Sequence, residues 1–309
     1  MIGNHHGQDQ TSLAVIGAGA MGSSMLACML KRTQRANANT DASDTAVINF
    51  DAFVACVSSN GSAERLSNDA RFTQAIREKK LNITHGDNAE AMSRASVILL
   101  ACKPGQVQTL LSEKGVSEAV KGKLVISVLA GKTCAQLSDY IYPISTALAH
   151  EKDRCWIVRA MPSLSATVGE SMTVLEDFPA NMPPTLAQRA TQVLGMVGEV
   201  RMVSADLFDT ATVVVGSTPA FLAISIDGIL DGAVSEGLRR SEAAAMMAQV
   251  LTGLGKLMAE EGQHLGMLRE SVASPKGATI GGILALEKAA ARYAFSDAVM
   301  QAAARIKKL

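Results

Sequence analysis

The sequence carries no surplus of charge of either sign, because 29 Lys and Arg balance 29 Asp and Glu. That balance removes the long-range attraction on which a nucleic acid or an anionic membrane would depend, so neither is expected as a partner. No apolar run approaches the length of a bilayer span, and the polar start is not a signal peptide. The five cysteines (Cys28, Cys56, Cys102, Cys134, Cys155) lack both metal-ligand spacing and a disulfide framework. Buried thiols in a reducing compartment are expected, and no metal site. The start also lacks the Arg-rich amphipathic pattern of a transit peptide, which makes the cytoplasm the expected location and mitochondrial import the alternative. Repeats and low-complexity tracts are absent. His5 and His6 alone make no metal site, and residues 1–12 read as a flexible arm.

What is present is ample apolar material: 48% hydrophobic against 19% charged residues over 309 positions, enough for two domains with a large core. Leu13 to Ile16 is an apolar run of strand character that feeds into Gly17-Ala18-Gly19-Ala20-Met21-Gly22, and a helix-like segment runs from Ser23 to Lys31. Gly-x-Gly-x-x-Gly in that setting is a dinucleotide-binding pattern. Gly17 permits the tight turn, Gly19 lets the backbone approach a pyrophosphate, and Gly22 lets the helix sit close to its strand. The helix then aims unpaired N–H groups at the phosphates.

Residues 53–57, 97–102, 124–129 and 156–161 read as further strands, with 172–175 and 199–203 extending the sheet. Continuous apolar runs of this kind belong to strands buried on two faces, as in a parallel sheet. Helix-like stretches at 89–94 and 106–114 lie between them, and 32–45 reads as a polar surface loop. The fold class expected is α/β: an N-terminal Rossmann-type doubly wound sheet over 13–203, with ligands beyond the strand ends at Gly17, Ser58, Lys103, Ala130 and Met161. Where an NAD-specific site places an acid after the second strand, this chain has Ser58, Ser59, Asn60 and, nearby, Arg65. A 2′-phosphate suits such a tract, which favours NADPH, with NADH as the alternative; a helix N-cap uses the same residues equally well.

Beyond 203 the texture is helical, with helices expected at 205–214, 218–237, 241–262, 278–289 and 291–307. This gives an all-helical domain over 204–309 whose Met-rich stripes serve a core or a subunit contact. Pro219 to Glu236 carries few polar residues, as in a helix buried all round or packed in a dimer. Between two of these helices, Ser274-Pro275-Lys276-Gly277-Ala278-Thr279 combines a turn, a helix start and two hydroxyls. It reads either as a carboxylate site or, more simply, as a capped helix start.

Together these segments resemble the pyrroline-5-carboxylate reductase family, from residue 13 nearly to the C-terminus. The glycine motif, Ala101-Cys102-Lys103-Pro104, Gly216-Ser217-Thr218-Pro219-Ala220-Phe221 and Ser274-Pro275-Lys276-Gly277-Ala278-Thr279-Ile280 carry the match. The resemblance implies hydride transfer from NAD(P)H to the C=N carbon of a five-membered cyclic imine bearing a carboxylate, giving proline. It also implies a homodimer through the C-terminal helices, with rings of dimers as a larger assembly. By position, Ser58, Ser59, Asn60, Asn88, Ala101, Lys103, Pro104, Ala130 and Gly131 would contact the cofactor. Ser274, Lys276, Gly277, Ala278 and Thr279 would hold the substrate carboxylate, and Thr279 would also bond the imine nitrogen. An imine that accepts hydride needs orientation more than a strong acid, so the absence of a His or Asp constellation fits. Three segments depart from the family's usual residues: Met161-Pro162-Ser163, where Asn is common at 163; Thr218 and Phe221, where Gly and Tyr are; and Lys276, where Gly is. Reduction of another cyclic imine, or a catalytically silent nucleotide-binding dimer, are the alternative readings.

Overall fold

The computed structural model describes residues 11–38, 48–143, 153–260 and 264–307. Residues 1–10 with His5 and His6, the remainder of the expected 32–45 loop, and the end of the expected 241–262 helix lie outside the described residues. Eight strands form one sheet: β1 Ser12–Ile16, β2 Ala52–Val57, β3 Leu81–His85, β4 Val97–Leu100, β5 Leu124–Ser127, β6 Trp156–Pro162, β7 Ser171–Glu176 and β8 Gly198–Val203. Their spatial order is β3-β2-β1-β4-β5-β6-β7-β8. Strands β1 to β6 are parallel, β7 runs antiparallel to β6, and β8 is parallel to β7. The first six positions are the dinucleotide-binding order 3-2-1-4-5-6.

Strand β3 was not read from the sequence. It is an edge strand whose residues Asn82, Thr84 and His85 face partly or fully outward, so it lacks the apolar run that marks the central strands.

The central strands are buried on both faces because helices cover each side, and the side chains that alternate along each strand enter two cores. Leu13 and Val15 of β1 enter one core, and Ala14 and Ile16 the other. The first core takes α1 (Ala20–Ala38), α2 (Asn60–Ser67) and, after α3 (Thr73–Arg77), residues of the later α8. The second takes α4 (Asn88–Ser93), α5 (Val107–Leu111), α6 (Val116–Ala119) and α7 (Cys134–Ile141). Helix α8 (Pro184–Gly195) meets α1 at its end, where Arg32 Nη1 donates to Gly195 O at 2.8 Å. With Thr33 also buried, this packing carries α1 to Ala38, beyond the expected loop start at Arg32.

Helix α9 (Ala205–Thr212) packs on β7 and β8, and two compact units divide after Gly216, the second being Ser217–Ala304. The boundary drawn from composition at 203/204 therefore differs from this division, because α9 docks on the sheet through Phe208 and Asp209. A π-helical turn, Val213–Ser217, joins α9 to α10 (Thr218–Ser235). The continuous run Ala205–Ser235 is long and apolar enough to cross a bilayer by length and composition, an 18-residue window within it having mean hydropathy 1.8. This corrects the expectation that no run approaches that length: Gly216 and Pro219 punctuate the sequence without interrupting the helix.

The second unit holds α10, α11 (Arg240–Glu260), α12 (Leu265–Ser271), α13 (Ala278–Lys288) and most of α14 (Ala291–Ile306). Arg240 ties α11 to α10 through Asp227 at 2.7 Å and through Asp231. Among its described residues Ala243 is the one buried apolar side chain, while Ile224, Ile229, Met246, Val250 and Leu284 are exposed.

Candidate active site

The turn between β1 and α1 is shaped by its glycines, each with a different constraint. Gly17 has φ +92°, and a Cβ there would lie 2.4 Å from Cys102 Cα, so both conformation and the neighbouring strand end exclude a side chain. Its N–H donates to Cys56 O at 2.8 Å, which stitches the turn to β2. A Cβ at Gly22 would fall 2.3 Å from Gly17 O. Gly19 differs: a Cβ there would meet no protein atom within 4 Å. Among the described residues nothing crowds position 19, and the space beside it belongs to a cavity.

That cavity, about 720 Å³, opens at the carboxyl ends of β1, β2 and β4. Of the residues expected at a cofactor, Gly17, Ala18, Gly19, Ser58, Asn88, Ala101 and Lys103 line it. Ala20, Met21, Gly22, Ser59, Asn60, Pro104, Ala130 and Gly131 do not. Ala20 to Gly22 open α1, Pro104 opens a 3-10 turn, and Ala130 and Gly131 follow β5, with φ +69° at Gly131.

The two uses of the Ser58–Asn60 tract separate in the structure. Ser59 is the N-cap of α2, its hydroxyl accepting from Ser62 N at 3.3 Å, and Asn60 turns its amide to Glu64 at 2.7 Å. Ser62 and Arg65, one helical turn further on, line the cavity with Ser58. Arg65 Nη2 donates to Ser62 Oγ at 3.3 Å, and no ion pair of Arg65 occurs among the described residues. A cation, hydroxyls and a helix N-terminus without an acid in its first turn make that wall receptive to an anion.

Across the cavity stand Gln106, Thr109, Leu110 and Glu113, residues that the sequence did not single out. No sequence signal marks them as a group: Gln106 closes a 3-10 turn, Thr109 and Leu110 lie on α5, and Glu113 falls in the bend that follows it. Cys102 also lines the cavity, and burial pushes its thiol up to about 11, so it is an uncharged wall at neutral pH.

Ser163, where the family commonly has Asn, is buried in a hydroxyl network. Its Oγ lies 2.7 Å from Ser165 Oγ and accepts from Met172 N at 3.1 Å. Gly216 sits near the end of β6, a Cβ there lying 3.9 Å from Met161 Cγ.

In the helical unit, Gly277 N donates to Ser274 O at 3.0 Å, closing a turn with Pro275 and Lys276 at its centre. Lys276 has φ +56°, the signature of a type II turn at the place where glycine is favoured. Gly277 is the N-cap of α13 without a side-chain cap bond, and no acid lies in that helix's first turn. Glycine itself fills the N-cap position, so no side chain caps that helix start. A Cβ at Gly277 would fall 2.4 Å from Ser274 Oγ, so the glycine leaves room for that hydroxyl. Ser274, Lys276 and Thr279 are exposed around the free helix end.

A glycine turn that opens onto a cavity at this switch in strand order defines a class, the dinucleotide-binding α/β proteins. Accordingly, a family model described as NADP oxidoreductase, coenzyme F420-dependent, matches residues 12–131, and one described as pyrroline-5-carboxylate reductase dimerisation matches 205–309. A pyrroline-5-carboxylate reductase of Lophium arboricola is 35% identical, over 95% of this chain and 91% of its own length. One of Schizosaccharomyces pombe is 32% identical, over 94% and 96%. Among solved structures, a Plasmodium falciparum pyrroline carboxylate reductase with NADP bound shares the fold at TM-score 0.76 and 22% identity, covering 98% of this chain and 99% of its own. The chain belongs to the pyrroline-5-carboxylate reductase family.

Proposed function

We propose that this protein reduces 1-pyrroline-5-carboxylate to L-proline with a nicotinamide dinucleotide, NADPH in preference to NADH. The observation that carries the reading is the glycine turn at the cavity, where a Cβ on Gly19 would enter only the cavity's space, in a chain whose relatives over nearly full length are named for this reaction. The cofactor, when bound, supplies a hydride to the imine carbon. Gly17 to Gly22 and the start of α1 hold its pyrophosphate, while Ser58, Ser62 and Arg65 favour the 2′-phosphate of NADPH.

In the helical unit, Ser274 Oγ and the uncapped N–H groups at Ala278 and Thr279 bind the substrate carboxylate. Lys276 and Gly277 complete the turn and add a cation beside it. Thr279 donates or accepts at the imine nitrogen, which orients the C=N bond without a strong acid.

The exposed apolar helices of Ser217–Ala304 are covered, in this reading, by a second copy rather than by a bilayer, and the dimerisation model over 205–309 supports that choice. Rings of dimers and a cytoplasmic location belong to the same proposal. Sedimentation without detergent tests the assembly, and a monomer there would defeat it.

The test of the activity is NADPH oxidation by the purified protein with 1-pyrroline-5-carboxylate, run beside the six-membered homologue and NADH. Turnover of the five-membered acid is expected, and Thr279→Ala should lower kcat at least tenfold with NADPH binding retained. NADPH bound with no turnover of either imine would overturn the reading.

A further inference from the structure

Asn88 stands on the cavity wall at the start of α4, held from two sides. Its Nδ2 donates to both carboxylate oxygens of Glu113, at 3.0 Å each, and its Oδ1 accepts from Cys56 Sγ at 3.4 Å. The two partners agree on the direction of the amide. An ionised carboxylate only accepts, so the NH₂ group must face Glu113. Burial pushes the Cys56 thiol up, so it remains an S–H donor at neutral pH, and the carbonyl must face Cys56. Without these partners an amide of this shape turns over freely, presenting donor or acceptor.

We infer that Glu113 is a positioning residue for the cofactor: it locks Asn88 with its carbonyl available to the cavity, as an acceptor for a hydrogen-bond donor on the adenosine half. Such donors are the ribose hydroxyls and the adenine amine. Glu113 lies 25 residues from Asn88, in the bend that follows α5, and reaches it because α5 and α4 cover the same face of the sheet. A carboxylate on the wall of a cavity meant for a polyanion is otherwise unfavourable. Its engagement by Asn88 gives the acid a task that does not touch the phosphates. The inference rests on the reading of this cavity as the dinucleotide site.

The experiment measures the NADPH dissociation constant by fluorescence for wild type, Glu113→Ala and Glu113→Gln. Nicotinamide hypoxanthine dinucleotide phosphate, which lacks the adenine amine, is titrated alongside. Glu113 is exposed, so Tm should hold in both variants. Glu113→Ala should weaken NADPH binding about three- to tenfold, raise KM for NADPH and leave kcat at saturation unchanged; Glu113→Gln, which still offers an acceptor, should recover most of the affinity. If the loss in Glu113→Ala persists with the hypoxanthine cofactor the donor is a ribose hydroxyl, and if it disappears the donor is the amine. Unchanged or tighter binding by Glu113→Ala would overturn the inference, whereas failure of the wild type to bind NADPH would instead overturn the site.

Discussion

Gly17 and Gly19 stand two residues apart in one motif, yet the structure gives them opposite tests. A methyl group at Gly17 meets the backbone of Cys102 and must be carried at φ +92°, so Gly17→Ala should lower stability by about 3 kcal/mol or more, seen as a fall in Tm. Gly19→Ala should leave Tm within a degree or two of wild type and weaken NADPH binding at least tenfold, because its methyl enters only the ligand's space. Equal effects on Tm would remove the distinction. At Ser59 the residue type allows a clean change of charge, since Asp caps a helix as well as Ser does. Ser59→Asp should keep α2 intact while setting a negative charge near Ser62 and Arg65. The ratio of kcat/KM for NADPH over NADH should drop about tenfold through repulsion of the 2′-phosphate, and a constant ratio would place that phosphate elsewhere. The glycines and the serine tract were legible in the sequence because their constraints are local. Glu113 was not, since its role depends on where the bend after α5 falls against the start of α4.

Among the elements, α9 is held to the sheet by one buried guanidinium. Arg159 on β6 donates to Glu176 on β7 at 2.9 Å and to Asp209 on α9 at 3.2 Å, and it stacks 4.3 Å from the ring centre of Phe208. Removing it leaves two acids facing each other in a poorly hydrated place, so Arg159→Ala should destabilise the protein by about 3–5 kcal/mol. Asp209→Asn, which keeps one acid for the arginine, should cost much less, and chemical denaturation compares the two. Similar values would mean that Phe208 packing, not the ion network, anchors α9. The sequence showed β6 as a strand but gave no sign of this clamp, because its three members are spread over fifty positions. It missed β3 for a related reason: an edge strand with one wet face has no apolar run to announce it.

For the whole molecule, the thiols set an alkaline limit. Burial pushes Cys102, Cys134 and Cys155 each up to about 11, from an ordinary value of 9.0. A raised folded-state value means that the folded protein holds these protons more tightly than the unfolded chain. The stabilisation is complete below pH 9 and is lost as pH rises from there towards 11. Tm should therefore be flat with respect to these groups from pH 7 to 9 and fall above it, and Cys155→Ala should shallow the fall. An equal slope in that variant would assign the alkaline loss to other groups.

What the sequence by itself determined is the periodic and the local: central strands that read as apolar runs because both faces are covered, a glycine turn whose chemistry lies within six residues, and a helical final third. Only the tertiary structure decided the rest. It extended α1 through contacts with α8, joined α9 to α10 across Gly216 and Pro219, and carried the division between units past α9. It also drew Arg65, Asn88 and Glu113 around one cavity. These outcomes depend on which faces meet after the strands are ordered, and the order of strands is set by packing over the whole chain rather than by any one segment.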